Sequence, residues 1–577
     1  MKNFIFILSL LSFTLSLQAQ TITHEVSELF QSQKEVDCII VMQDQLDLYG
    51  RTKGMTKNEK AQFVFQKLTT HASQSQNELI SYLNTEKVDF QSFFIFNGVQ
   101  AVLKLDQAQY IADHFQVANI VFNAATKMPF DEKLSSPDLS RMTVEWGLEK
   151  IKADSVWNLG YLGEGVVIGG QDTGYDFDNS LILDKYRGYS EDTIIHDYNW
   201  HDAIFEVNPL HNDSINDPSV NPCGFLSPEP CDDHGHGTHT MGTMVGRDDE
   251  NFIGVAPQAK WIGCRNMDRG YGKPSTYTEC FEWFLAPTDL NGENPDTDLA
   301  PHVINNSWGC PEMEGCNPEN WMFMETVVNN LNAAGTVVVV SAGNDGGQGC
   351  SSIFNPAAIF ENSFTVGATD QSDNKAGFSS IGPVAVDSSF RLKPDVVAPG
   401  RQVRSIYLNE EFRTWSGTSM AGPHVAGAVA LIINANPNLS GEVDIIKNLL
   451  KETAVPLTDS TICNGNMALT IPNFYYGYGR IDVLNAVGNA IALADDTESY
   501  HPEITLYPNP AHGYFNIIHE ASIRNIAVYA MTGEKIAVDV EKISNNHILI
   551  SNLSKGIFVC KLDLGDGSVV TKKVIMH

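Results

Sequence analysis

The chain has 577 residues, 43% hydrophobic and 19% charged, and its 37 Lys and Arg against 70 Asp and Glu leave a formal net charge of −33. That length is too great for one hydrophobic core and calls for several domains. The acidic balance argues against a nucleic-acid partner, because phosphate backbones are bound by clustered cations, and it fits a soluble protein.

Residues 1–20 carry Lys2, then an uncharged apolar run over 4–17, then Gln18-Ala19-Gln20. This is the pattern of a secretory signal peptide cut near Ala19. No later segment is apolar over the roughly 20 residues that a membrane helix needs. Residues 21–140 alternate strand and helix patterns, with strands expected at 38–42, 90–96, 99–105 and 117–122 and helices at 59–83 and 107–115. Such a β-α-β-β-α-β order folds as a ferredoxin-like α+β sandwich. The polar stretch 127–141, with two prolines and a serine pair, reads as a linker.

Residues 141–493 predict an α/β domain. Short apolar runs at 166–170, 261–264, 303–306, 337–341, 364–367 and 396–398 suit strands buried in a parallel sheet, with helices at 236–245, 277–285 and 321–334 between them. No charged residue lies between Arg413 and Glu442, so the run 415–437 should hold a helix of about fourteen residues buried on every side. Pro423 is expected in its first turn, where a missing N–H costs little. Ser419 then stands at the helix start, where free N–H groups and the positive dipole end favour a developing negative charge. After an acidic linker at 494–502, residues 503–577 alternate as strands at 514–518, 525–530, 548–551, 557–562 and 569–575, the pattern of a small β-sandwich.

Eight of the ten cysteines fall between Cys223 and Cys463, which suits an oxidising compartment. Cys223 and Cys231 flank a loop with Pro228 and Pro230 and are close enough for a local disulfide. Cys264 with Cys280, and Cys310, Cys316, Cys350 and Cys463, are further candidates whose pairing stays open.

A serine at a helix start is ordinarily only a cap. To act as a nucleophile it needs a histidine base and a carboxylate to orient that base. The strand at 166–170 runs into Gln171-Asp172-Thr173-Gly174 and delivers an Asp at its carboxyl end. In Asp232-Asp233-His234-Gly235-His236-Gly237-Thr238-His239, glycines on both sides of His236 let backbone and substrate approach. A metal reading of His234, His236 and His239 is disfavoured, since His-Glu-x-x-His is absent and a metal would leave Ser419 and Asp172 without roles. His239 and His424 are expected to be buried structural residues. An α/β-hydrolase elbow is also disfavoured, because Gly417-Thr418-Ser419-Met420-Ala421 ends in Ala and the chain order is Asp, His, Ser.

That order, with Gly417-Thr418-Ser419-Met420-Ala421, resembles the subtilisin-like serine proteases. Gly254-Val255-Ala256-Pro257, Asn305-Asn306-Ser307-Trp308-Gly309, Ser341-Ala342-Gly343-Asn344-Asp345-Gly346 and the segment from Lys393 to Gly400 are similar to further motifs of the family, in family order, across residues 144–493. The long loops and the Asn-Ser-Trp-Gly-Cys segment look most like the bacillopeptidase F branch. The resemblance implies a subtilisin-like fold, a secreted endopeptidase acting on protein or peptide substrates, and an Asp172, His236, Ser419 triad. Asn344, by itself a turn residue, becomes the oxyanion donor. Ser307, Trp308 and Gly309 become the strand that pairs with substrate and walls the pocket for the residue before the scissile bond, with Phe354 near its floor. Catalysis would use no cofactor, while structural Ca²⁺ would find oxygens in acidic loops such as 202–217, although no ligand spacing identifies a site.

Two further resemblances concern the ends. Residues 93–101 resemble the inhibitor-like propeptide of subtilases, which implies that 21–140 is an intramolecular inhibitor removed by self-processing. Tyr507-Pro508-Asn509-Pro510, Gly556-Ile557-Phe558-Val559 and Lys572-Lys573-Val574-Ile575 resemble the C-terminal sorting domain of type IX secretion, which implies passage through the periplasm and outer membrane by that machinery. A carbohydrate-binding module is the competing reading, and no cluster of exposed aromatics supports it. A catalytically silent subtilase scaffold competes with the enzyme, and the intact triad argues against it.

Overall fold

A computed structural model of the chain describes residues 21–128, 144–211, 221–309, 322–463, 466–467, 469–494 and, with short breaks, 504–576. The expected signal peptide and most of both linkers lie outside the described residues.

In the N-terminal unit, α1 (His24–Ser32) precedes β1 (Glu35–Met42), α2 (Lys57–Ser75), α3 (Asn77–Glu86), β2 (Phe90–Phe93), β3 (Gly98–Lys104), α4 (Leu105–His114) and β4 (Val117–Phe122). The strands pair antiparallel in the order β2-β3-β1-β4, the ferredoxin-like arrangement. One long helix was expected at 59–83, and two are found. They meet at Gln76, which is fully buried, donates to the Phe93 carbonyl and Asn97 Oδ1, and accepts from the Ser92 hydroxyl. Those tertiary partners, invisible to helical periodicity, break the run.

β1 is buried on both faces. Cys38, Ile40 and Met42 pack on the unit's own helices. Ile39 and Val41, on the opposite face by strand alternation, join Phe93, Ile95, Phe96 and Val121 in a core shared with the central domain.

The central domain is built on seven parallel strands in the order β14-β13-β12-β11-β6-β8-β7. These are β6 (Val167–Asp172), β7 (Trp200–Asp202), β8 (Lys260–Arg265), β11 (Val303–Asn306), β12 (Val337–Ser341), β13 (Phe364–Thr369) and β14 (Val396–Pro399). Every ladder is parallel, and the apolar runs of strands such as β12 and β13 suit strands covered on both sides. Strand β7 escaped the sequence reading because it lies within a long polar loop and two of its three residues are His201 and Asp202. Short strands β9 (Met267–Asp268) and β10 (Tyr271–Gly272) follow β8, and β15 (Val403–Ile406) pairs with β16 (Phe412–Trp415). A small hairpin of β17 (Ile462–Cys463) and β18 (Asn466–Met467) follows.

Helices α5 (Trp146–Ile151), α6 (Ala153–Asn158), α7 (His236–Val245), α8 (Pro274–Leu285), α9 (Phe323–Ala333), α10 (Thr418–Ala435), α11 (Val443–Glu452) and α12 (Val483–Ala494) cover the sheet. α10 has 18 residues and is buried from Thr418 to Ile433, longer than the reading from sequence allowed. α8 and α9 meet the sheet of the N-terminal unit, so Phe281, Phe284, Phe323 and Val327 share one core with Ile39, Val41 and Phe96. Disulfides join Cys223 to Cys231, Cys264 on β8 to Cys280 on α8, and Cys350 to Cys463. Cys310 and Cys316 lie outside the described residues.

The C-terminal region is a β-sandwich of two four-stranded antiparallel sheets, β19-β20-β24-β23 and β22-β21-β25-β26. The first holds β19 (Thr505–Tyr507), β20 (Tyr514–Ile518), β23 (Asp539–Ser544) and β24 (His547–Ser551). The second holds β21 (Ile523–Ala530), β22 (Lys535–Ile536), β25 (Gly556–Leu564) and β26 (Val569–Met576). Phe515, Ile517 and Ile550 from one sheet face Val528, Phe558, Cys560 and Val574 from the other. Among the described residues no helix is long and apolar enough to cross a membrane.

Candidate active site

Asp172 ends β6, at the carboxyl edge of the sheet where open α/β folds gather their ligands. His236 opens α7, with its Nδ1 2.7 Å from Asp172 Oδ1, and both side chains are buried. The same carboxylate accepts from the Thr173 N–H at 2.8 Å, which fixes its orientation. The start of α7 is organised by Asp232, whose carboxylate accepts from the N–H groups of His234, Gly235 and Thr238 and from the hydroxyls of Thr173 and Thr238. Asp233 turns the other way, to the buried Arg265, and burial pushes its carboxyl up to about 7. Both acids beside the three histidines are therefore committed to partners within the protein.

α10 packs across α7 and brings Ser419 to this edge of the sheet. Ser419 Oγ donates to the Ser307 carbonyl at 3.1 Å, while Ser307 Oγ donates to the Ser419 carbonyl at 3.1 Å. Pro423 accounts for the second bond. It lies inside α10 and not in the first turn as expected, so its missing N–H leaves the Ser419 carbonyl without its helical donor, and Ser307 supplies one. Asn305 Nδ2 in turn donates to Ser307 Oγ at 2.9 Å.

Asn344 follows β12. Its Oδ1 accepts from the Thr418 N–H at 2.9 Å and the Thr418 hydroxyl at 3.0 Å, which leaves the amide nitrogen as the outward donor beside the start of α10. Trp415 stacks on His239 at 4.8 Å and lies 6.2 Å from His236. His239 and His424 are buried, and burial lowers them to about 3 and about 4, so both are neutral structural residues.

The turn before β10 lies close to His234, since a Cβ on Gly270 would lie 3.5 Å from its ring. β5 (Thr126–Lys127) pairs antiparallel with β10, and the Met128 N–H donates to the Gly270 carbonyl at 2.7 Å. Trp308, next to Ser307, is buried and stacked on Tyr277 at 3.8 Å. Gly309 faces Asn355, and a Cβ on Gly309 would lie 3.4 Å from the Asn355 Cγ. Tyr277 and Asn355 were not picked out from sequence, because each earns its place through tertiary packing and neither sits in a motif.

Residues 163–479 match the subtilase family, and residues 505–577 match the secretion system C-terminal sorting domain. The chain belongs to the subtilase family. It is 35% identical to bacillopeptidase F of Bacillus subtilis (strain 168) over 75% of its own length but only 29% of that protein. It is 31% identical to subtilisin DY of Bacillus licheniformis over 59% of its length and 97% of that protein, and 31% identical to subtilisin Savinase of Lederbergia lenta over 56% and 94%.

Asp202, expected to offer oxygens to Ca²⁺, accepts instead from Arg265 at 3.0 Å and from the N–H groups of Ile204 and Ser227, while 212–217 lie outside the described residues. Among the described residues no group of three or more His, Cys, Asp or Glu could hold a metal ion.

Proposed function

We propose that this subtilase is a secreted serine endopeptidase made as a self-processed zymogen, with Asp172, His236 and Ser419 as its triad. The observation that carries this reading is the buried Asp172–His236 pair, 2.7 Å apart, on a helix packed against the one that presents Ser419. In this reading, rotation about χ1 takes Ser419 Oγ from the Ser307 carbonyl towards His236. His236 accepts the hydroxyl proton as Oγ attacks the peptide carbonyl carbon, and Asp172 stabilises the imidazolium. The oxyanion accepts from the Asn344 amide and the Ser419 N–H. Collapse breaks the C–N bond as His236 returns the proton to the leaving amine, and water then hydrolyses the acyl-enzyme by the same steps. No cofactor takes part.

We assign residues 1–20 to a signal peptide, 21–140 to the inhibitory propeptide and its cleavage linker, 141–493 to the catalytic domain, 494–502 to a linker and 503–577 to the type IX sorting domain. Support for the inhibitor comes from residues 126–128, which pair with β10 as a substrate strand would. Contacts to α8 support it further: Glu282 accepts from the N–H groups of Phe94 and Ile95, and Asn123 exchanges two hydrogen bonds with Ser275. The sorting-domain match supports export and attachment at the cell surface through the type IX machinery. Ser307, Trp308 and Gly309 are assigned to the substrate-binding wall.

Treatment of the secreted protein with phenylmethylsulfonyl fluoride should add one covalent mass to the Ser419 peptide and abolish casein digestion. Digestion that survives full labelling would remove Ser419 from the mechanism.

A further inference from the structure

We infer that Tyr277 makes this subtilase select a hydroxyl-bearing side chain, threonine or serine, at the substrate position that Thr126 occupies. The inference rests on the reading of residues 126–128 as a substrate-like segment. Strand alternation sorts that segment into three environments. Thr126 is fully buried, Lys127 is exposed with its ammonium 5.4 Å from the Tyr271 ring, and Met128 is buried in the shared core. Selection therefore acts on the first and third positions and spares the second.

At the first position the pocket is small and its base is polar. Tyr277 is fully buried and lies flat on Trp308, with ring centroids 3.8 Å apart and planes 7° apart, so its hydroxyl has a fixed place. Gly272 leaves room for that hydroxyl, because a Cβ there would lie 2.5 Å from it. Thr126 Oγ1 fills the site, 2.8 Å from the Tyr277 hydroxyl and 3.3 Å from the Gly272 carbonyl. The threonine hydroxyl can donate to one and accept from the other. A valine of the same shape offers neither, and it would bury a phenol against a methyl group. A larger apolar side chain would meet the Tyr277–Trp308 stack.

The test is profiling of a proteome-derived peptide library with the mature secreted enzyme and with Tyr277→Phe, which keeps the ring. Matched peptides carrying Thr, Ser or Val at the preferred position follow. Loss of both hydrogen bonds should give the wild type a kcat/KM at least about tenfold higher for Thr than for Val. Tyr277→Phe should lower that ratio about three- to fivefold, leaving the share that the Gly272 carbonyl sustains, a change that loss of fold alone would not produce. Equal cleavage of the Thr and Val peptides by the wild type overturns the inference, and so does a Thr preference that is undiminished in Tyr277→Phe. The peptide comparison needs no variant and stands even where Tyr277→Phe fails to fold. Failure to digest any library peptide would overturn the protease reading and this inference with it, whereas digestion without a hydroxyl preference overturns the inference alone.

Discussion

The two end regions of this subtilase attach to its centre in opposite ways. The N-terminal sheet has no closed core of its own on one face. Ile39, Val41, Phe93 and Ile95 complete a cluster that continues into α8 and α9. Charged groups are buried along the same seam: Lys57 reaches the Ala300 carbonyl, Lys60 reaches Glu442, and Lys273 reaches Asp37. Among the described residues the C-terminal sandwich closes its core from its own side chains, and it meets the centre at places such as β26 against α12. A region that shares one face of its core must expose that face to water when it leaves, whereas one that closes its core alone can be removed with little effect on the rest.

The sharpest way to break that contrast is Ser419→Ala. Loss of the nucleophile lowers hydrolysis by about 10⁶ in a related subtilisin, so the variant should accumulate as a folded chain that keeps residues 21–128 attached. Intact mass analysis from a host without other secreted proteases checks this, and trimming at the wild-type rate would assign the cut to another enzyme. Next in size is Asn344→Ala, which should keep the fold and lower kcat by about 10²–10³, the loss a related subtilisin suffers without its oxyanion asparagine. An unchanged kcat would take Asn344 out of the mechanism.

The seam itself should respond to pH. Burial raises Glu282 to about 8, so the attached state holds the extra proton between its ordinary 4.5 and about 8, and attachment weakens as pH rises through that window. Burial lowers Lys57 from 10.5 to about 8, so the detached state holds the extra proton above 8, and attachment recovers as pH rises further. The cut N-terminal unit should therefore dissociate most readily near pH 8, as followed by size-exclusion chromatography from pH 5 to 10. Tightest retention near pH 8 would contradict this. The smallest effect should come from deletion of 503–577, which should leave kcat/KM within about twofold and Tm within about 3 °C while export stops. A large fall in Tm would mean that the sandwich, too, shares the central core.

Much of this was legible in the sequence, and the misses share a cause. A strand such as β12 announces itself because a parallel sheet buried on both faces favours near-continuous apolar runs. The meeting of Asp172 with His236, and of Asn344 with the turn before Ser419, could be anticipated from motifs; their catalytic roles are the proposal made above. Strand β7 was hidden because the partners of His201 and Asp202, Glu279 and Arg265, are distant in sequence. Gln76 broke a helix that periodicity joined, and Tyr277 matters only through the rings and hydroxyls that tertiary packing brings to it.

The place of Pro423 bears on how accurately Ser419 is held. A helix end is ordinarily the part of a helix that frays, and a nucleophile mounted there would inherit that looseness. Here the carbonyl released by the proline is tied to Ser307, just beyond a central strand of the sheet. The reference frame for the Ser419 hydroxyl is thus the central sheet, and an interruption in the helix is what makes that anchorage available.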